Sequence, residues 1–86
     1  MNQYQLQVTA QFRPEVLERV LRLTRHRGFR VAQMDMTTQD ANLVINMRVE
    51  SERAIELLSR QLEKLLDVTQ VQAQVLEEAQ ALKKIA

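Results

Sequence analysis

Eighty-six residues with twelve basic and eleven acidic side chains, one histidine and no cysteine describe one small domain of net charge +1. A chain of this size buries only about 60% of the surface its unfolded form exposes, so any core is compact. The lack of cysteine excludes a disulfide framework, a zinc-thiolate site and a thiol nucleophile, and a single histidine excludes a multi-histidine metal centre.

Met1 to Ala10 alternates polar and apolar residues and has neither the basic flank nor the continuous apolar stretch of a secretory leader. No apolar run approaches the roughly 20 residues of a membrane span. A soluble, cytoplasmic protein is expected, without nucleic-acid or membrane partners. Tyr4, Leu6, Val8, Ala10 and Phe12 alternate with Gln3, Gln5, Gln7, Thr9 and Gln11. That period of two predicts a half-buried strand.

Pro14 opens a helix where its missing N–H costs nothing, and Glu15 and Glu18 complement the helix dipole. At about 100° per residue, Val16, Leu17, Val20, Leu21, Leu23 and Thr24 share one arc. Arg25, His26 and Arg27 fill the last turn, and Gly28 is placed to take the left-handed conformation that ends a helix. Residues 13 to 30 hold six arginines (Arg13, Arg19, Arg22, Arg25, Arg27, Arg30) against two glutamates. They read first as a solvated helix face, and their single sign leaves a partner-binding role open.

Phe29 and Val31 begin a second strand, but Met34 and Met36 fall in the opposite phase, which a bulge near Ala32 and Gln33 would repair. Thr38 to Asn42 is a polar connection into a third strand in which Leu43, Ile45, Met47 and Val49 alternate with polar neighbours. Ser51 is read as an N-cap, and Ala54, Ile55, Leu58, Leu62, Leu65 and Leu66 occupy one helical arc behind it. Val71, Ala73 and Val75, separated by glutamines, form the last strand.

The order βαββαβ, with each helix apolar on one side, predicts an α+β, ferredoxin-like domain: a four-stranded antiparallel sheet with two helices on one face. The domain is expected over 1–76, with 77–86 a helical or frayed tail. Exposed edge strands make a side-by-side homodimer plausible.

This fold serves many functions, so the residues must decide. The segment after the first strand, Phe12-Arg13-Pro14-Glu15, lacks the Cys-x-x-Cys of a metal carrier. One glycine, Gly28, does not build a phosphate cradle. The third strand carries no aromatic ring on which RNA bases could stack. His26 has no nucleophile beside it in sequence, and no catalytic residue and no metal ligand is assigned.

Two segments carry a resemblance. Arg27-Gly28-Phe29-Arg30-Val31 resembles the Arg-Gly-(Tyr/Phe)-Asn-Ile segment of acetolactate synthase (acetohydroxyacid synthase) small subunits. Gln61-Leu62-Glu63-Lys64-Leu65-Leu66-Asp67-Val68, ending at Val71, resembles their Gln-Leu-x-Lys-Leu-x-Asp-Val-x-x-Val signature. Leu17 and Arg19 also fit, and the likeness runs from Tyr4 to Val75. Because the chain ends soon after its fourth strand, it resembles the single-domain isozyme II type.

The resemblance implies a regulatory ACT domain without cofactors of its own. Its partner would be the large catalytic subunit, which binds thiamine diphosphate, Mg2+ and FAD in branched-chain amino acid biosynthesis. A homodimer of small subunits within a heterotetramer is implied. The relatives bind valine at the first strand–helix loop through an asparagine and a glycine, where this sequence has Phe12 and Glu15, and Arg30 replaces the asparagine after Gly-(Tyr/Phe). Activation with weak or absent valine feedback is therefore expected, with Arg13 and Arg30 as an alternative anion site. Candidate partner contacts are Arg19, Arg22, Arg25 and the connection from Met36 to Asp40. The competing reading is a free-standing ACT-type dimer that senses an amino acid.

Overall fold

The computed structural model describes residues 2–76, which form six elements in the expected order: β1 (Asn2–Gln11), α1 (Val16–His26), β2 (Arg30–Gln39), β3 (Asn42–Ser51), α2 (Glu56–Glu63) and β4 (Val68–Leu76). The strands make one antiparallel sheet in the order β2-β3-β1-β4. The 77–86 tail lies outside the described residues. Among the described residues, no helix is long and apolar enough to cross a membrane.

The period-two pattern of β1 does what its side chains require. Tyr4, Leu6, Val8 and Ala10 point to one face beside Leu43, Ile45, Met47 and Val49 of β3, and none of the eight is more than 5% exposed. Val16, Val20 and Thr24 of α1 and Leu58 and Leu62 of α2 cover them. Thr24 sits in this core because its hydroxyl donates to the Val20 carbonyl one turn back, at 2.7 Å. The opposite face carries Gln3, Gln5, Gln7 and Thr9 and stays polar. There the Gln7 amide donates to Asn46, whose own amide donates to Asp35.

Gly28 has φ +87° and directly follows the helix, so the left-handed turn expected from the sequence is present. A Cβ there would also meet the Arg53 side chain at 2.8 Å. The turn lets Phe29 drop into the core, where its ring lies 6.1 Å from that of Tyr4. In β2 the pairing steps from Val31↔Val49 to Gln33↔Arg48, leaving Ala32 as the extra residue. This bulge brings Met34 and Met36 opposite the buried Met47 and Ile45, as the change of phase required.

Four boundaries differ from the sequence reading. β1 ends at Gln11, and Phe12 turns out into solvent at 57% exposure. The connection at Thr38–Asn42 tightens to Asp40 and Ala41, with Asp40 at φ +56°. Ser51 ends β3 and does not cap α2, which starts five residues later. Its buried hydroxyl instead donates to the Gly28 carbonyl (2.8 Å) and accepts the Arg53 N–H (3.0 Å). Finally, α2 closes at Glu63, so Leu66, placed on its apolar arc by the spacing, is 91% exposed.

The two edges of the sheet are unlike. β2 carries Arg30, Asp35 and the bulge, whereas β4 has no charged residue along its length.

Candidate functional site

The residues singled out by the sequence fall at the two ends of the sheet. At the end where β1 finishes, the loop Phe12–Glu15 leads into α1. The Arg13 guanidinium donates to the Gln11 side chain (3.0 Å), and its Nε lies 3.3 Å from Asp67. Arg19, one turn into α1, reaches the other Asp67 oxygen at 3.8 Å. Asp67 is nearly buried and its carbonyl accepts the Gln11 N–H at 2.8 Å, so one residue braces the loop, the helix and the entry to β4. Glu15 occupies the position before the helix without a side-chain cap and remains exposed.

At the other end, Arg30 lies on the open face, 3.4 Å from Glu50. Arg25 and Arg30, with Leu21, Gly28, Phe29 and Val31, line a groove of about 490 Å³ between α1 and β2. Arg22 is exposed on α1, Met36 is 45% exposed on β2, and Asp40 makes the exposed hairpin turn.

The structure thus brings Arg13 and Arg19 together on Asp67 and does not bring Arg13 and Arg30 together. Arg30 stands across from Glu50 and, through it, Gln3 at the start of β1. Arg13 lies past the end of that strand, so roughly 25 Å of extended chain at ~3.3 Å per residue separates them. A single protomer therefore does not form the two-arginine anion site. Among the described residues, no group of three or more His, Cys, Asp or Glu could hold a metal ion.

Asp67 is the residue that pattern reasoning missed. It falls within the second family-like segment, but its link to Arg13 crosses most of the chain, which no local spacing reveals.

This architecture can be compared with known proteins. The family model of the ACT domain matches residues 12–71. The small subunit of acetolactate synthase isozyme 2 from Escherichia coli strain K12 is 52% identical over 73 residues, covering 83% of this chain and 84% of that protein. The chain belongs to the ACT-domain small subunits of acetolactate synthase. The counterpart of that subunit in Shigella flexneri matches to the same extent. Among solved structures, the ACT domain of a GTP pyrophosphokinase from Chlorobium tepidum superposes with a TM-score of 0.72 at 10% identity, covering 86% of this chain and all of that one. An ACT domain protein from Streptococcus pneumoniae gives 0.73 at 14% identity, covering 86% and 89%. These two likenesses support the ACT fold alone. Both family-like segments, 27–31 and 61–71, lie inside the match to the ACT-domain model.

Proposed function

We propose that this ACT domain is the regulatory, non-catalytic small subunit that activates a large acetolactate synthase subunit in branched-chain amino acid biosynthesis. The observation that carries the reading is the 52% identity to the isozyme 2 small subunit across more than four fifths of both chains. The large subunit would hold thiamine diphosphate, Mg2+ and FAD and perform the condensation in the cytoplasm. Contact with the small subunit would raise the population of its ordered, competent state, which requires tighter binding to that state than to the disordered one. The domain would extend over residues 1–76, with 77–86 as a tail, and Arg19, Arg22, Arg25, Met36 and Asp40 remain candidate contacts.

Weak valine feedback follows from the loop. Arg13, the cation nearest an incoming carboxylate, already holds Asp67 and Gln11, and the free Glu15 carboxylate repels an anion at the same place. A homodimer paired antiparallel through β2 would continue the sheet and set the Arg30 end of one copy beside the Phe12–Glu15 loop of the other. That is the arrangement in which the separated arginines could share an effector.

The test is acetolactate formation by the purified large subunit with and without this chain, repeated with excess valine. A several-fold rise that valine leaves intact is expected. A valine-sensitive rise would overturn the reading of Glu15. No rise, together with an amino-acid-dependent change in the isolated chain, would favour a free-standing sensor using the Arg25–Arg30 groove.

A further inference from the structure

We propose that two copies of this chain pair edge to edge through β4, antiparallel about a two-fold axis at Ala73, into one eight-stranded sheet. The contact involves the small subunit alone, so it stands or falls independently of any effect on a large subunit. β4 closes one side of the sheet, and among the described residues no strand lies beyond it. An open edge is a template for another strand unless charge, proline, shortness or a bulge blunts it. β2 has two charged residues and a bulge, but β4 runs for nine residues without a charged residue or a proline. Its one irregularity is at the Val68 end, where Thr69 is left without a partner on β1. From Gln70 to Leu76 the pairing is regular.

The side chains of that regular stretch fit a second copy of the same strand. Val71, Ala73 and Val75 pair with Val8, Leu6 and Tyr4 of β1 and so lie on the helix side, while Gln70, Gln72 and Gln74 lie on the open face. Val71 packs against the core, but Ala73 is exposed and Val75 is 57% exposed, so the helix layer stops short of this end of β4. A second copy turned about Ala73 sets Val75 opposite Val71, Gln74 opposite Gln72 and Ala73 opposite itself. Every facing pair from Val71 to Val75 then matches in kind, both helix layers stay on one side, and Val75 gains an apolar neighbour. Moving the register by one residue would set valine against glutamine and throw the helix layers to opposite faces. An axis at Gln72 would instead run Val75 onto the bulge at Thr69. The arrangement also separates the two arginines of the effector region. Five strand spacings, about 24 Å at ~4.8 Å each, lie between β1 of one copy, which leads to Arg13, and β2 of the other, which carries Arg30. It leaves α1, the Phe12–Glu15 loop and β2 free for the large subunit.

The test is sedimentation equilibrium of the full chain as wild type, Gln72→Lys with Gln74→Lys, Gln72→Lys with Gln74→Glu, and Thr37→Lys, with thermal melting of each to show that it folds. Gln72 and Gln74 are exposed and touch no core residue's face, and Thr37 is an exposed control on β2. The wild type is expected to be a dimer. The double lysine variant sets lysine against lysine twice and should need at least roughly tenfold more chain to dimerise. The lysine–glutamate variant sets opposite charges together in the same register and should dimerise at least as well as the wild type, and Thr37→Lys should match the wild type. A monomeric wild type would overturn the proposal, as would a double lysine variant that dimerises normally. Dissociation by Thr37→Lys alone would assign the contact to β2 and overturn it as well. Equal losses from both double variants would overturn the axis at Ala73, since only that register sets residue 72 of one copy against residue 74 of the other.

Discussion

Leu6→Ala should destabilise the domain by about 3–4 kcal/mol, within the range of about 2–5 kcal/mol for a buried leucine cut back to alanine. Leu6 is fully buried in the central strand, facing Met47 on one side and Ala73 on the other. The cost stays clear of the lower end of that range because Ala73 has no side chain long enough to move into the space. A domain of this size is stable by only about 4–11 kcal/mol, at ~0.05–0.15 kcal/mol per residue. Urea unfolding should therefore show a midpoint lowered by a large fraction with an unchanged slope. The same leucine-to-alanine change at the exposed Leu66 should move stability by less than about 0.5 kcal/mol. Similar losses at the two sites would contradict the assigned packing.

Ser51→Ala should cost about 2 kcal/mol, although it removes a single oxygen, because that atom serves two partners. Its hydroxyl donates to the carbonyl of Gly28 and accepts the N–H of Arg53, and the Arg53 carbonyl in turn accepts the Tyr4 hydroxyl at 2.8 Å. The end of α1, the start of β1 and the link from β3 into α2 are thereby joined through one buried side chain. Tyr4→Phe, which removes only the outermost bond, should cost about 1 kcal/mol. Thermal unfolding of both variants checks the order. A Ser51→Ala loss below that of Tyr4→Phe would mean that these backbone groups find other partners and that the hydroxyl does not organise the corner.

Much of the fold was legible because its signals are local. The alternation from Tyr4 to Ala10 marks a strand by itself, and Gly28 stands where only a residue at ease with positive φ can end the helix. Even the bulge at Ala32 could be read, because Val31 and Met34 cannot face one side of a regular strand. Ser51 misled because a serine before a helical pattern has the same appearance whether it caps the helix or bonds a distant carbonyl. Leu66 misled for a related reason. Periodicity continues past the point where a helix ends, and two turn bonds, Lys64 N–H to Gln61 and Leu65 N–H to Leu62, accompany the end of α2. The candidate site was harder to read. Arg13 and Arg30 were individually visible, but their separation and the role of Asp67 depend on contacts between segments far apart in sequence.

The position of β1 also dictates the order in which the molecule can assemble. This strand lies first in sequence among the described elements yet fills a central place, and both its neighbours come much later, β3 from about the middle of the chain and β4 beyond α2. The β2–β3 hairpin can close locally, but β1 has no partner strand until β3 exists and only one until β4 exists. Nearly all the burial that stabilises the sheet waits for these distant pairings, so collapse is governed by loop closure more than by local helix formation. A chain still being synthesised leaves one edge of its central strand β1 unpaired until β4 has emerged.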